Sequence, residues 1–394
     1  MIRNYPVRLI ASLLLVTTAI AAEPPTGPHS EGHSSVQNVD QTELPNAKPL
    51  RNEAASVDPT KELVSPDTNS PSDFFENVSS LVDRQISTRD TLQEIDDDDT
   101  DARDCVAGLI WEPTSFITTF ETTQRSDRGD VLVRFPSPVD TGDPRNDLVA
   151  MEWYIARDEQ SRPRFARAIV IVHESGSQMT VGRMFARALR MQGLHTFLIH
   201  LPHYGERRTG TRRPRNVNII RSMQQSVVDV RRARDAVAAM PLVDTKHIAL
   251  QGTSLGGFVS ATAGSLDCGF DSVFLVLAGG NLYDLIENGQ KDAAKVREEL
   301  AKVGLTGQRL KDAVLTIEPT RVAHRLDPER TWLFSGSLDT VVPPSSAAAL
   351  ADAGRLDASH HVQMLANHYT GIIYLPMVLG EIHQQVTNLA PSTR

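Results

Sequence analysis

Cysteine is nearly absent from this chain: Cys105 and Cys268 are the two in 394 residues. At most one bridge can form, pinning the start of a domain to its core, and two independent, partly buried thiols are the equal alternative. Aromatic residues make up only 5% and are not interleaved with the basic ones. With a nearly neutral region after residue 104, that argues against nucleic-acid binding. No HExxH occurs, and His200-Leu201-Pro202-His203 has no grouped third ligand, so no metal site is predicted. Long apolar runs are missing too. The one near the start, residues 9–20, follows Arg3 and Arg8 and ends in Ala19-Ile20-Ala21. It reads as a secretory signal peptide over residues 1–22, its apolar core too short for a membrane span, with an uncleaved anchor as the other reading. No cysteine follows it, so a lipid-anchored export signal is not supported. Export to a periplasmic or extracellular compartment is expected, with no stable membrane insertion after cleavage.

Residues 23–104 lack apolar content and are rich in Pro, Ser, Thr, Asn and Asp. They hold 19 acidic residues against 6 basic ones, so the chain's net charge of −9 belongs to this segment. Such a composition predicts a disordered acidic tail, because too little surface can be buried to offset the ordering entropy. Its removal is expected to leave a soluble, active domain, although residues 74–95 carry an amphipathic pattern compatible with a short helix. From 105 to 394 the chain reads as one domain without internal repeats.

What is present is Gly252-Thr253-Ser254-Leu255-Gly256, between the apolar run Ile248-Ala249-Leu250 and a helix start at Val259-Ser260-Ala261. A serine between glycines can occupy a sharp strand-to-helix turn that leaves its Oγ free above a sheet, and Gly257 adds a third small residue. A serine hydroxyl needs a base, and the base an acid. Thr331-Trp332-Leu333-Phe334 reads as a strand, and Asp339 follows it in a loop closed by Pro343-Pro344. An Asx turn before those prolines is the plainer reading of Asp339. Four histidines come later. His360 and His361 precede their strand, His383 lies inside the last predicted helix, and only His368 sits on a loop at the required sheet edge. Ser254, Asp339 and His368 are therefore the predicted catalytic residues.

That order and elbow resemble the α/β-hydrolase superfamily over roughly residues 130–390. Within it, the chain looks most like bacterial serine esterases of the dienelactone-hydrolase and acetylxylan-esterase kind. Three features carry the finer likeness: Leu201-Pro202-His203-Tyr204-Gly205-Glu206-Arg207-Arg208, the helix from 225 to 240 leading into Val243-Asp244, and Leu338-Asp339-Thr340-Val341-Val342-Pro343. The resemblance implies an oxyanion hole built from the backbone N–H of Leu255 and, after the strand at 168–172, that of Ser175. There the family's His-Gly-x-Gly is His173-Glu174-Ser175-Gly176 here. A carboxylate aimed at an oxyanion would oppose its charge, so Glu174 is expected to point away or to pair with a cation such as Arg183. His173, with Glu174, His203 and Tyr204, is a pocket-lining candidate, and its expected role is structural hydrogen bonding rather than a second base.

The apolar runs at 168–172, 195–201, 272–278 and 331–334 suit strands buried on both faces, with entry strands at 131–135 and 149–155. Between them, helices are expected at 181–192, ending at Gly193, and along the stripe Met223, Val227, Val230, Val237. The predicted fold is a three-layer α/β-hydrolase with a mostly parallel sheet. Before the acid lies a charged helical insertion, 281–330, which reads either as a small cap over the pocket or as an ordinary crossover helix. Arg207, Arg208, Arg212, Arg213 and Arg215 crowd one loop, either solvated or receiving an anionic substrate group. The resemblance implies a serine hydrolase acting on a small-molecule or carbohydrate ester without a cofactor. A serine peptidase, or a non-catalytic binding protein on the same scaffold, is the alternative. The oligomeric state is not legible.

Overall fold

The structure is a computed structural model describing residues 57–64, 78–123, 125, 127–210, 218–290 and 292–388. The predicted signal peptide and Arg212, Arg213 and Arg215 lie outside them. Eleven strands form one sheet: β1 (Glu62–Val64), β2 (Arg84–Thr88), β3 (Phe116–Thr122), β4 (Val131–Pro136), β5 (Leu148–Tyr154), β6 (Ala166–Val172), β7 (His195–Ile199), β8 (Val243–Thr253), β9 (Ser272–Val276), β10 (Thr331–Gly336) and β11 (His361–Met364). Their spatial order is β1-β2-β3-β4-β5-β7-β6-β8-β9-β10-β11. From β7 to β11 every neighbouring pair is parallel, while β2, β3, β4, β5 and β7 pair antiparallel.

The helices are α1 (Thr100–Val106), α2 (Thr180–Met191), α3 (Ile219–Ala238), α4 (Leu255–Ser265), α5 (Leu282–Asn288), α6 (Asp292–Lys302), α7 (Gly307–Leu315), α8 (Pro344–Ala353) and α9 (Leu375–Asn388). Alternation along β6 divides them into layers, because successive side chains leave opposite faces of a strand. Ala168, Val170 and Val172 pack with Val227 and Val230 of α3, Val259 of α4 and Leu350 of α8. Ile169 and Ile171 pack with Phe185 and Leu189 of α2 and Val378 and Ile382 of α9. The strands covered on both faces are the near-continuous aliphatic runs, as buried parallel strands require. Asn218 caps α3 by accepting the Arg221 N–H, and Pro241 lies just beyond its end.

The described part of the acidic segment, 57–64 and 78–104, departs from the expected disorder. Residues 23–56 and 65–77 lie outside the described residues; in the rest of the segment β1 and β2 extend the sheet, residues 78–95 supply a 3₁₀ turn at Val78–Leu81 and β2 rather than a helix, and α1 straddles the expected domain boundary at 105. Leu81, Ile86, Leu92 and Ala102 join the core, and Asp99 caps α1 by accepting the Asp101 and Ala102 N–H groups. Three of the segment's acidic residues pair with arginines of the later chain. Asp90 pairs with Arg232 at 2.8 Å, both fully buried, and takes the Trp111 Nε1–H at 2.6 Å. Asp97 meets Arg325 at 2.7 Å and Asp101 meets Arg321 at 2.9 Å. Asp90 and Asp97 are buried with their arginines beside the apolar residues of the described part, a pairing composition does not register.

The insertion is a small helical body. Leu282 and Ile286 of α5, Leu300 of α6 and Leu310 and Val314 of α7 form a separate apolar cluster with Phe258, Val341 and Val342. It is thus more than a crossover helix. Cys105 and Cys268 are unbridged, and burial pushes the Cys105 thiol up to about 11. Among the described residues no helix is long and apolar enough to cross a membrane, and no His/Cys/Asp/Glu cluster could hold a metal.

Candidate active site

β8, β10 and β11 all run to the same sheet edge, and the chain leaves them toward Ser254, Asp339 and His368 in turn. At the first exit Ser254 adopts φ 52° and ψ −115°, a strained conformation for a residue with a side chain. Close packing enforces it. A Cβ on Gly252 would run into the Gly256 carbonyl and Ser260, one on Gly256 into the Val172 carbonyl, and one on Gly257 into Ala278. The turn can only be this tight with glycine at all three positions.

At the second exit Asp339, 3% exposed, is held by both its oxygens. Oδ1 accepts the N–H of Val341 at 2.8 Å and of Val342 at 2.9 Å, and Oδ2 meets His368 Nδ1 at 2.7 Å. The Asx turn and the acid that orients the base are therefore one structure, not competing readings. Val341 and Val342 also belong to the insertion's apolar cluster, a supporting role the sequence reading missed. The signal for it was the apolar pair directly after Asp339-Thr340.

At the third exit, His368 Nε2 lies 2.9 Å from Ser254 Oγ. Two of the other histidines are occupied elsewhere: His361 Nε2 lies 2.9 Å from Ser335 Oγ and His360 Nδ1 lies 3.0 Å from Asp357. The arrangement gives a hydroxyl in contact with an imidazole whose far nitrogen faces a buried carboxylate, the geometry for drawing a proton from Oγ as it attacks.

Ser254 is the residue before the first turn of α4, so the Leu255 N–H is among the donors a helix start leaves unpaired. Ser175 is on the exposed loop after β6, and its carbonyl accepts the Tyr204 hydroxyl at 3.1 Å. Neither the Leu255 nor the Ser175 N–H donates a hydrogen bond among the described residues.

The residues proposed to line the pocket divide. His173 does not line it: the side chain is fully buried, its Nδ1–H donates to the Glu174 carbonyl at 2.5 Å, and its Nε2 accepts the Leu201 N–H at 3.2 Å. Burial holds its pKa down at about 3, so it is a neutral structural linker between the loops after β6 and β7. Tyr204 packs edge-on against it, ring centroids 4.7 Å apart. Glu174 is a cap. Its carboxylate accepts the Val181 and Gly182 N–H groups, each at 3.0 Å, at the start of α2, where Met179 in the left-handed region offers no cap of its own. Arg183, the expected cation for Glu174, instead pairs with Glu152. Burial opposes ionisation of Glu152, but hydrogen bonds from His200 and Arg183 hold its pKa down at about 2. His203, at φ 67°, donates its backbone N–H to Asn146 Oδ1 at 3.0 Å and shapes the loop that carries Tyr204. Arg207 is buried against Asp229 at 2.8 Å, so it is not part of a solvated anion-binding run.

No protein-family model matches the chain, and no curated relative matches it either. Solved structures do match. An acetyl xylan esterase from Paenibacillus sp. R4 superposes with a TM-score of 0.54 at 15% identity, covering 75% of this chain and 96% of its own. The fold is that of the α/β-hydrolases. Acetyl xylan esterase 1 from Thermoanaerobacterium sp. JW/SL YS485 gives 0.49 at 14% identity, over 74% of this chain and 96% of that one. At such identity the likeness concerns the fold and leaves chemistry to the residues.

Proposed function

We propose that this α/β-hydrolase is an exported serine hydrolase that cleaves carboxylic esters through an acyl-enzyme. The continuous relay from Ser254 through His368 to Asp339 carries the reading. Ser254 Oγ attacks the ester carbonyl as His368 Nε2 takes its proton, and the imidazolium then protonates the departing alcohol. Asp339, fixed by the Val341 and Val342 N–H groups, orients the ring and stabilises its positive form. The N–H groups of Leu255 and Ser175 receive the oxyanion. Water, deprotonated by His368, releases the acid. The engagement of Glu174 by α2 supports catalysis over a non-catalytic scaffold, since its charge is spent on the helix start. The substrate is a small-molecule or carbohydrate ester, no cofactor takes part, and residues 1–22 serve as the export signal.

A panel of acetyl to long-chain esters with peptide amides tests this. Short-acyl esters should turn over fastest. Ser254→Ala and His368→Ala should each lower turnover by at least about a thousandfold, with little further loss when combined. Faster cleavage of amides than of any ester would replace the esterase reading with a peptidase, and hydrolysis of long-chain triglycerides with none of acetyl esters would overturn the short-acyl preference.

A further inference from the structure

His368 stands on a turn with an open outer side: Asn367 and His368 are half-buried, and Tyr369 and Thr370 are exposed. Surface loops are ordinarily the most mobile part of a fold, whereas a general base has to keep its reach to the nucleophile closely. What fixes this loop is a closed set of bonds around Asn367. Its Oδ1 accepts the N–H groups of Tyr369 at 2.9 Å and Thr370 at 3.0 Å, and its own N–H donates to Thr370 Oγ1 at 2.9 Å. Its carbonyl accepts the Gly371 N–H at 3.0 Å. That reciprocal exchange is the one a capping box makes at a helix start, here closed over the turn that carries the base. The relay from Ser254 to Asp339 uses none of these atoms.

Both ends of the turn are tied to the other strand exits. Just before it, the Ala366 carbonyl accepts the N–H of Leu338, the neighbour of the catalytic acid, at 3.0 Å. At its far end Gly371 is buried, and a Cβ there would meet the Leu277 side chain at 3.2 Å. Leu277 takes φ 53°, a conformation a leucine holds only when its surroundings impose it, and such outliers gather at functional sites. The carbonyl of Val276, one residue earlier, accepts the Ser254 N–H at 2.8 Å. With the ends fixed in this way, the middle is left to the Asn367 side chain. We propose that Asn367, with Thr370 as its partner, is a positioning residue for the base: it holds the His368 backbone so that Nε2 stays at Ser254 while Asp339 holds the other side of the ring. The idea rests on the esterase reading above. Acylation and deacylation draw on the same imidazole, so loosening it should fall on kcat and spare KM.

Rates and stability together separate this from a merely structural role. Asn367→Ala should lower kcat for p-nitrophenyl acetate about ten- to a hundredfold with KM within about twofold, and Thr370→Val should act in the same direction. Asn367→Ser, which keeps an oxygen acceptor, should recover most of the loss. Asn218→Ala, which removes a like cap at the start of α3, should lower the unfolding temperature about as much as Asn367→Ala does and leave kcat unchanged. In a His368→Ala background, Asn367→Ala should take nothing from the residual rate, because no imidazole is left to place. Parent-like kcat in both Asn367→Ala and Thr370→Val, an equal loss in Asn367→Ser, or the same loss without His368 would each overturn the proposal. Organophosphonate labelling of Ser254 reads the same placement without an ester. Slower labelling of Asn367→Ala in a protein that cleaves no ester would keep the positioning and overturn the esterase reading, whereas ester cleavage that Asn367→Ala leaves untouched would do the reverse.

Discussion

The two halves of the sheet are held by different chemistry. From β6 to β11, aliphatic side chains fill both faces, and Ser254, His368 and Asp339 meet at one edge. Around β1 to β5 and α1 the apolar core is supplemented by buried polar fastenings: Asp90 pairs with Arg232, and Thr91 donates its N–H and hydroxyl to Asp235, a carboxylate that Arg231 also meets. The first kind of cohesion is graded, since each methylene lost costs a little. The second is brittle, because removing one partner strands a charge out of water.

The sharpest way to break the comparison is to remove one carboxylate. Asp90→Ala leaves the Arg232 guanidinium buried beside Trp111 and Phe116 without its counter-ion and takes the acceptor from Trp111 Nε1, so it should destabilise by about 3–5 kcal/mol in urea unfolding. Asp90→Asn, which keeps an acceptor, should cost less. By the same logic, a chain cut before residue 107 should be insoluble or unfolded, against the expectation from composition. A truncated protein with full activity would show the ion pairs to be ornamental.

Acid should act on the other half. His173, His195 and His247 are buried just after β6, on β7 and on β8, and burial lowers their pKa values from 6.5 to about 3, 4 and 4. Between pH 6.5 and about 4 the unfolded chain therefore binds protons that the folded chain refuses, and stability falls as pH falls. One pH unit below 6.5 the loss should be roughly 1 kcal/mol per histidine. Over the same window Asp97 stays ionised: burial opposes it, but the Asp99 N–H, Arg325 and His324 hold its carboxyl far below the usual range. Urea midpoints measured from pH 7 to 4.5 should decline, and a flat profile would contradict the neutral, buried state of these rings.

The smallest effect is expected at Glu174. Glu174→Ala removes the cap of α2, costing about 1 kcal/mol, and loosens the loop bearing Ser175, lowering turnover about tenfold. Glu174→Gln should recover much of the stability. Unchanged turnover in Glu174→Ala would detach this loop from the oxyanion.

How legible each half was follows from the same contrast. Ile169-Val170-Ile171-Val172 and Thr331-Trp332-Leu333-Phe334 announce strands because hydrophobic runs are a local signal, and Ser254, Asp339 and His368 could be placed by strand exits alone. The acidic segment could not be read, because Asp90 and Arg232 are 142 residues apart and a carboxylate looks the same in sequence whether solvated or buried. The Arg183 partner expected for Glu174 failed for a related reason: its carboxylate meets backbone N–H groups of a helix whose start depends on Met179 taking a left-handed conformation.

The account's central claim is that Ser254 is a nucleophile activated by His368. An organophosphonate reporter followed by peptide mass spectrometry tests it directly. The adduct should fall on Ser254 in the parent protein, and labelling should be lost in His368→Ala at a concentration that saturates the parent. An adduct on another serine, or equal labelling of Ser254 without the histidine, would contradict it.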